Sequence, residues 1–215
     1  MILDSDIHDI VRGFIETKVL QISTNPMFKL ASGKESPVYL DHRKIFSHVM
    51  LRKKIITKWG QFLKSEFPSV FENTSNIVFA GTATAGIAPA YALAEFFNCG
   101  FVYVRSKPKQ HGLTSVIEGS LPTNAVVFVV DDMITTGGSV LQAVEYVKME
   151  SVKSIYVTSI STHQLKKASE SFAVNHVIAK SLFKTTDLFD VAYAKEFITG
   201  KEMKTIMEWL TQLDG

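Results

Sequence analysis

VVFVVDDMITTGGSV, Val126 to Val140, decides the fold. Val126–Val130 is a short apolar, β-branched run of the kind that forms a fully buried strand. On this reading Asp131 and Asp132 end the strand, and Met133–Gly138 turn the chain. From Ser139 onward Val140, Ala143, Val144 and Val147 recur on one face of a helix. The order is strand, acidic pair, small-residue loop, helix.

Each part has a chemical use. A turn rich in Thr and Gly points successive backbone N–H groups inward and makes an anion-binding nest. The helix start behind it adds unpaired N–H groups and the positive end of a dipole. Thr135, Thr136 and Ser139 bring hydroxyl donors, while Gly137 and Gly138 let the backbone approach a phosphate with no Cβ between. Carboxylates repel phosphate, so the aspartates serve something else: sugar hydroxyls, which are donors, or a magnesium ion, which takes oxygen ligands. A ribose 5-phosphate carrying a metal-bound pyrophosphate combines these features. The stretch lacks the Gly-Lys-[ST] of a Walker A loop and the G-x-G-x-x-G of a dinucleotide site.

The chain has 215 residues, enough for one α/β domain with a sizeable core. A net charge of +2 gives no reason to expect nucleic-acid binding. Cys99 is the only cysteine, which excludes an internal disulfide and fits a reducing compartment. No Cys/His cluster has metal-ligand spacing. The N-terminal MILDSDIHDI lacks a signal-peptide pattern, and Ala80–Phe97 is too broken by Gly, Pro, Thr and Glu to span a membrane, so cytoplasmic residence is expected.

In chain order, the periodicity predicts a helix over 6–20, capped by Ser5 or Asp6. A hairpin-like excursion follows within FKLASGKESPVYLDHR, Phe28 to Arg43, then a helix over 46–64 that buries Val49, Ile56, Trp59, Phe62 and Leu63. Core strands are expected at 77–80, 101–104, 126–130, 154–159 and about 174–178. Terminal helices are expected at 187–197 and 201–213, the second with Met203, Ile206, Met207 and Leu210 inward. Strands alternating with helices predict a parallel sheet covered on both faces, with ligands at the carboxyl ends of its strands. The long connection Arg105–Thr123, basic at its start, reads as a binding loop with Gly112 and Gly119 as hinges.

VFVV-DD-MI-TTGGS resembles the phosphoribosyl pyrophosphate motif of type I phosphoribosyltransferases. With FKLASGKESPVYLDHR, YVRSKPKQHG, the IEG beyond it and GTATAGI, most of residues 14–160 closely resembles the orotate phosphoribosyltransferases. The resemblance implies a type I phosphoribosyltransferase fold: a central parallel sheet flanked by helices, with a small hood. The whole chain, 1–215, is then one domain with a core of approximately 46–180 and a hood of approximately 1–45 plus part of 180–215. It also implies a homodimer in which each basic loop reaches over the partner's site. By position, Thr135–Ser139 hold the 5-phosphate, and Asp131 and Asp132 hold ribose hydroxyls and help keep the metal complex in place. Arg105, Lys109 and His111 act on the pyrophosphate from the neighbouring chain. Thr84, Ala85 and Gly86, within GTATAGI, wrap it from the other side. Tyr39 lines the orotate pocket with Arg43 assisting. Many family members carry lysine where this chain has Ala31, Ala85 and Ser106, and arginine where it has His163. Lys34 and Lys107 are placed to supply charge from shifted positions.

The reaction implied is transfer of the phosphoribosyl group of Mg-phosphoribosyl pyrophosphate to orotate, giving orotidine 5′-monophosphate and pyrophosphate in pyrimidine synthesis. Mg2+ is the expected cofactor. Two other readings share the opening motif: a phosphoribosyltransferase for a purine base, and a non-enzymatic regulator that binds phosphoribosyl pyrophosphate. The SGK-x-SP segment and the K-x-H-G loop disfavour the first. The lack of a DNA-binding segment or strongly basic face disfavours the second.

Overall fold

The computed structural model describes residues 5–30, 33–107 and 116–214. Its elements run α1 (Ser5–Glu16), β1 (Leu20–Ile22), β2 (Phe28–Lys29), β3 (Glu35–Ser36), β4 (Val38–Leu40), a 3-10 turn (His42–Ser47) and α2 (Val49–Glu66). Then come β5 (Ile77–Thr82), α3 (Ile87–Phe97), β6 (Gly100–Val104), β7 (Ile117–Glu118), β8 (Val126–Ile134) and α4 (Gly138–Lys148). The chain closes with β9 (Ser154–Thr162), α5 (Lys166–Val174), β10 (Ile178–Lys184), α6 (Thr185–Ala194) and α7 (Gly200–Asp214). It divides into two compact units, one of residues 1–54 and 183–215, the other of residues 55–182.

The second unit is built on a six-stranded sheet in the order β10-β9-β8-β5-β6-β7. β5 runs parallel to β6 and β8, and β8 parallel to β9. Parallel neighbours need long crossovers, and α3 and α4 supply them between β5 and β6 and between β8 and β9. Alternation sorts β8 onto two faces. Val127 and Val129 join Val78, Ala80 and Val157 against the inward stripe of α4, Val140, Ala143, Val144 and Val147. Phe128 is fully buried among aromatic rings, 5.4 Å from Phe67, 5.4 Å from Phe79 and 5.2 Å from Tyr156. Burying a ring of that size contributes about 1.5–3 kcal/mol.

The strand does not end at Asp131 as expected. β5 pairs with β8 as far as Gly81↔Val130, but β9 continues through Ile134↔Thr162. The acids therefore sit on strand backbone that has outrun one neighbour and kept the other. β10 is also displaced from the expected 174–178 and starts only at Ile178, because α5 and the turn behind it take residues 174–177. β6 and β7 form a short antiparallel ribbon, Tyr103↔Glu118 and Val104↔Ile117.

In the first unit α1 packs on α6, and β1 pairs antiparallel with β4. The 28–43 excursion is a hairpin, with β2 antiparallel to β3. Ile10, Val11, Phe14, Leu188, Phe189, Val191 and Ile206 are buried there. The first helix stops at Glu16, short of the expected residue 20, since Lys18 takes a left-handed φ of 55°. Val49 and Met207, expected inward, are exposed, and among the expected inward residues of α7, Ile206 and Leu210 are the buried ones.

Candidate functional site

At the carboxyl ends of β5 and β8 two loops flank the acidic pair. After β8, Thr135, Thr136, Gly138 and Ser139 are exposed, so this loop is open and not sealed in packing. Gly137 has a φ of 80°, a conformation glycine adopts without strain. The first loop-to-helix hydrogen bond runs from the Leu141 N–H to the Gly137 carbonyl, 2.9 Å. Among the described residues, none of the backbone N–H groups from Thr135 to Val140 makes a hydrogen bond to the protein. Consecutive open donors at a helix start form an anion cradle.

Asp131 is 8% exposed. Its Oδ1 accepts from the Asp132 N–H at 3.0 Å and its Oδ2 from the Ser139 hydroxyl at 3.1 Å. Burial pushes its pKa above the usual carboxylate value, while donors from Thr82, Asp132 and Ser139 pull the other way. Asp132 is less buried. Among the described residues no group of three or more His, Cys, Asp or Glu side chains could hold a metal ion. A lone carboxylate pair suits magnesium that arrives on a diphosphate and keeps phosphate and water ligands.

The loop after β5 holds Thr84, Ala85 and Gly86. Thr84 is exposed and Gly86 is buried. The peptide between Ala83 and Thr84 is cis. The Ala83 N–H donates to the Val104 carbonyl at 2.8 Å, and the Gly86 N–H to the Thr82 carbonyl at 2.9 Å. A Cβ on Gly86 would lie 2.2 Å from the Val130 carbonyl oxygen, and one on Gly81 2.6 Å from that of Gly86. Both glycines serve close backbone approach, which brings this loop against the end of β8.

His163 follows β9, and its N–H donates to the Ile134 carbonyl at 3.1 Å, beside the start of the Thr135 loop. Burial lowers its pKa to about 4. At neutral pH the ring is uncharged, so it does not act as an arginine-like cation.

Arg105 leaves the β6–β7 ribbon with its Nη1 3.1 Å from Glu118 Oε1, a half-buried pair within one chain. Lys107 is exposed. Lys109, His111, Gly112 and Ala31 lie outside the described residues.

Tyr39, Lys34 and Arg43 belong to the first unit. Tyr39 sits on β4 with its ring 5.9 Å from that of Phe28. Lys34 is exposed in the β2–β3 turn, its carbonyl accepting from the Leu30 N–H at 2.9 Å. Arg43 Nε is 2.6 Å from Asp41, and that guanidinium holds the Asp41 carboxyl below the usual range. The structure thus gathers Asp131, Asp132, Thr135–Ser139, Thr84–Gly86 and His163 around the ends of β5, β8 and β9. Thr82 and Glu118, quoted in the motifs but given no role there, emerge as contacts. The available signal for Thr82 was one hydroxyl closing an otherwise apolar strand.

The sequence matches the Phosphoribosyl transferase domain over residues 50–192. It is 34% identical over 200 residues to the orotate phosphoribosyltransferase of Lactococcus lactis subsp. cremoris (strain SK11), covering 93% of each chain. Among solved structures, it is similar to orotate phosphoribosyltransferase from Aeropyrum pernix, with a TM-score of 0.70 and 24% identity over 84% of this chain and 96% of that one. It is also similar to UMP synthase from Leishmania donovani, with a TM-score of 0.75 and 17% identity. That match takes in 97% of this chain, which spans 43% of the Leishmania protein.

Proposed function

The chain belongs to the orotate phosphoribosyltransferase family, and from that premise we propose that it moves the phosphoribosyl group of phosphoribosyl pyrophosphate onto orotate. The observation that carries this reading is the run of open N–H groups from Thr135 to Val140 beside the Asp131–Asp132 pair. The cradle takes the 5-phosphate and the acids accept from the ribose hydroxyls. Thr84 and Ala85 face the pyrophosphate, and Tyr39, Arg43 and Lys34 serve the acceptor.

The bond from ribose C1 to the pyrophosphate oxygen breaks with its electron pair on oxygen, and the orotate nitrogen, its proton given up to solvent, forms the new bond to C1. Positive charge grows on the ring as the leaving group departs, and the Asp131–Asp132 pair supplies a negative field at that place. Magnesium, when bound through the diphosphate, neutralises charge on the leaving group. Arg105, Lys107, Lys109 and His111 add cationic or hydrogen-bonding groups on the same side, and we assign them to a partner's site in a homodimer. Excluding water from this site protects the reactive sugar from hydrolysis. No helix among the described residues is long and apolar enough to cross a membrane, and residence in the cytoplasm belongs to the same proposal.

The test is loss of orotate ultraviolet absorbance on adding phosphoribosyl pyrophosphate with magnesium, with hypoxanthine, xanthine and adenine as competing acceptors. Turnover of orotate alone is expected. Turnover of a purine alone would replace the reading with its purine counterpart, and binding of the diphosphate without turnover of any base would replace it with the regulator.

A further inference from the structure

Thr82 closes β5, whose preceding residues Ile77–Ala80 are all buried and apolar. It is itself 5% exposed. Valine would fill the same volume without a buried hydroxyl to satisfy. The hydroxyl donates to the Val130 carbonyl oxygen at 3.2 Å, on the residue just before Asp131, and is near enough to the Asp131 carboxyl to counter part of the rise in its pKa. Its other contacts are with the loop that follows. The Thr82 carbonyl accepts from the Gly86 N–H at 2.9 Å, and a Cβ on Gly86 would come within 2.4 Å of Thr82 Oγ1. The end of β5, the start of α3 and the end of β8 therefore meet at this side chain.

We infer that Thr82 is a positioning residue that fixes the Asp131 carboxylate relative to the Ala83–Gly86 loop, so that the sugar and diphosphate ends of the donor meet a prearranged pair of surfaces. This rests on the proposed reading of the site. A group held by a locked neighbour spends no binding energy on its own alignment. The hydroxyl, and not the bulk of the side chain, is what matters.

Thr82→Val and Thr82→Ser separate the two. With phosphoribosyl pyrophosphate varied at saturating orotate, Thr82→Val raises its KM by up to about tenfold, the size of one lost hydrogen bond. The KM for orotate stays within about twofold, and Thr82→Ser returns the donor KM to near the wild-type value. Loss of packing alone would lower the melting temperature and the amount of active protein without moving the donor KM. A Thr82→Val enzyme with wild-type donor KM, or a Thr82→Ser enzyme as impaired as Thr82→Val, overturns the inference. Should Thr82→Val not fold, Thr82→Ala takes its place with the same two outcomes. Calorimetric binding of phosphoribosyl pyrophosphate to each variant decides the matter even if wild-type protein turns over no orotate, a result that would count against the proposed function instead.

Discussion

The Ser139 hydroxyl donates to Asp131 Oδ2 at 3.1 Å, joining the first turn of α4 to the acid at the end of β8. One side chain thus belongs both to the anion cradle and to the carboxylate beside it, which we propose faces the sugar. When a phosphate enters the cradle, the same proton has a second acceptor, and the two sites are coupled through it. Ser139→Ala is expected to weaken phosphoribosyl pyrophosphate binding about tenfold, since it removes a donor to a charged oxygen. Calorimetric titration checks this, and an unchanged affinity would remove Ser139 from the site.

Asp131 exacts a cost in stability. Burial raises its pKa in the folded chain above the ordinary 3.8, so the folded state holds that proton more tightly than the unfolded state. Stability then falls as pH rises from about that ordinary value through the raised one. Asn can still accept from the Asp132 N–H. Asp131→Asn should melt higher than wild type at pH 7, with the gap closing as pH drops below 3.8, while losing most activity. Melting curves across that range test the sign.

His163 works in the opposite direction. Its pKa falls from 6.5 to about 4 in the folded chain. The unfolded chain takes up the proton first, so stability is lost as pH falls from about 6.5 toward 4, with a ceiling of about 3 kcal/mol. His163→Asn should flatten that limb. An equal acid-side loss in wild type and variant would place the titration elsewhere.

Gly86 and Gly138 share a residue type and differ in their surroundings. A methyl group on Gly86 would strike backbone oxygen at 2.2 Å, whereas one on Gly138 meets nothing nearer than Thr136 Oγ1 at 4.0 Å. Gly86→Ala should cost about 1–3 kcal/mol or more, because the neighbour is backbone and cannot rotate away. Gly138→Ala should leave unfolding nearly unchanged. Chemical denaturation of the pair gives the comparison.

If the basic loop acts in trans, mixed dimers of Lys109→Ala chains with Asp131→Asn/Asp132→Asn chains should regain activity, since some pairs carry one intact site. Each variant alone should lose about a hundredfold or more in turnover, the usual effect of removing a charge-stabilising group. No recovery in the mixture would leave each chain to complete its own site.

The strand–loop–helix of Val126–Lys148 was legible because its pattern is local: an apolar run, small residues, then helical spacing. Local pattern misplaced the end of β8, since acids read as terminators and nothing within that stretch announces that β9 continues alongside. It misplaced β10 for a related reason. Lys180, Ser181 and Lys184 hide a strand at the sheet edge, while the more apolar Val174–Val177 holds the end of α5 and a turn. In the site, the motif named the acids and the cradle. The Thr82 contact and the Arg105–Glu118 pair join residues far apart in sequence, and the neutral ring of His163 depends on burial, which composition does not encode.

The β6–β7 ribbon ties both ends of the stretch between Arg105 and Val116, through the Val104↔Ile117 pair and the Arg105 N–H to Val116 carbonyl bond of 2.9 Å. The chain therefore leaves the sheet and returns to it at two adjoining points, so that departure and return are both set by the same ribbon.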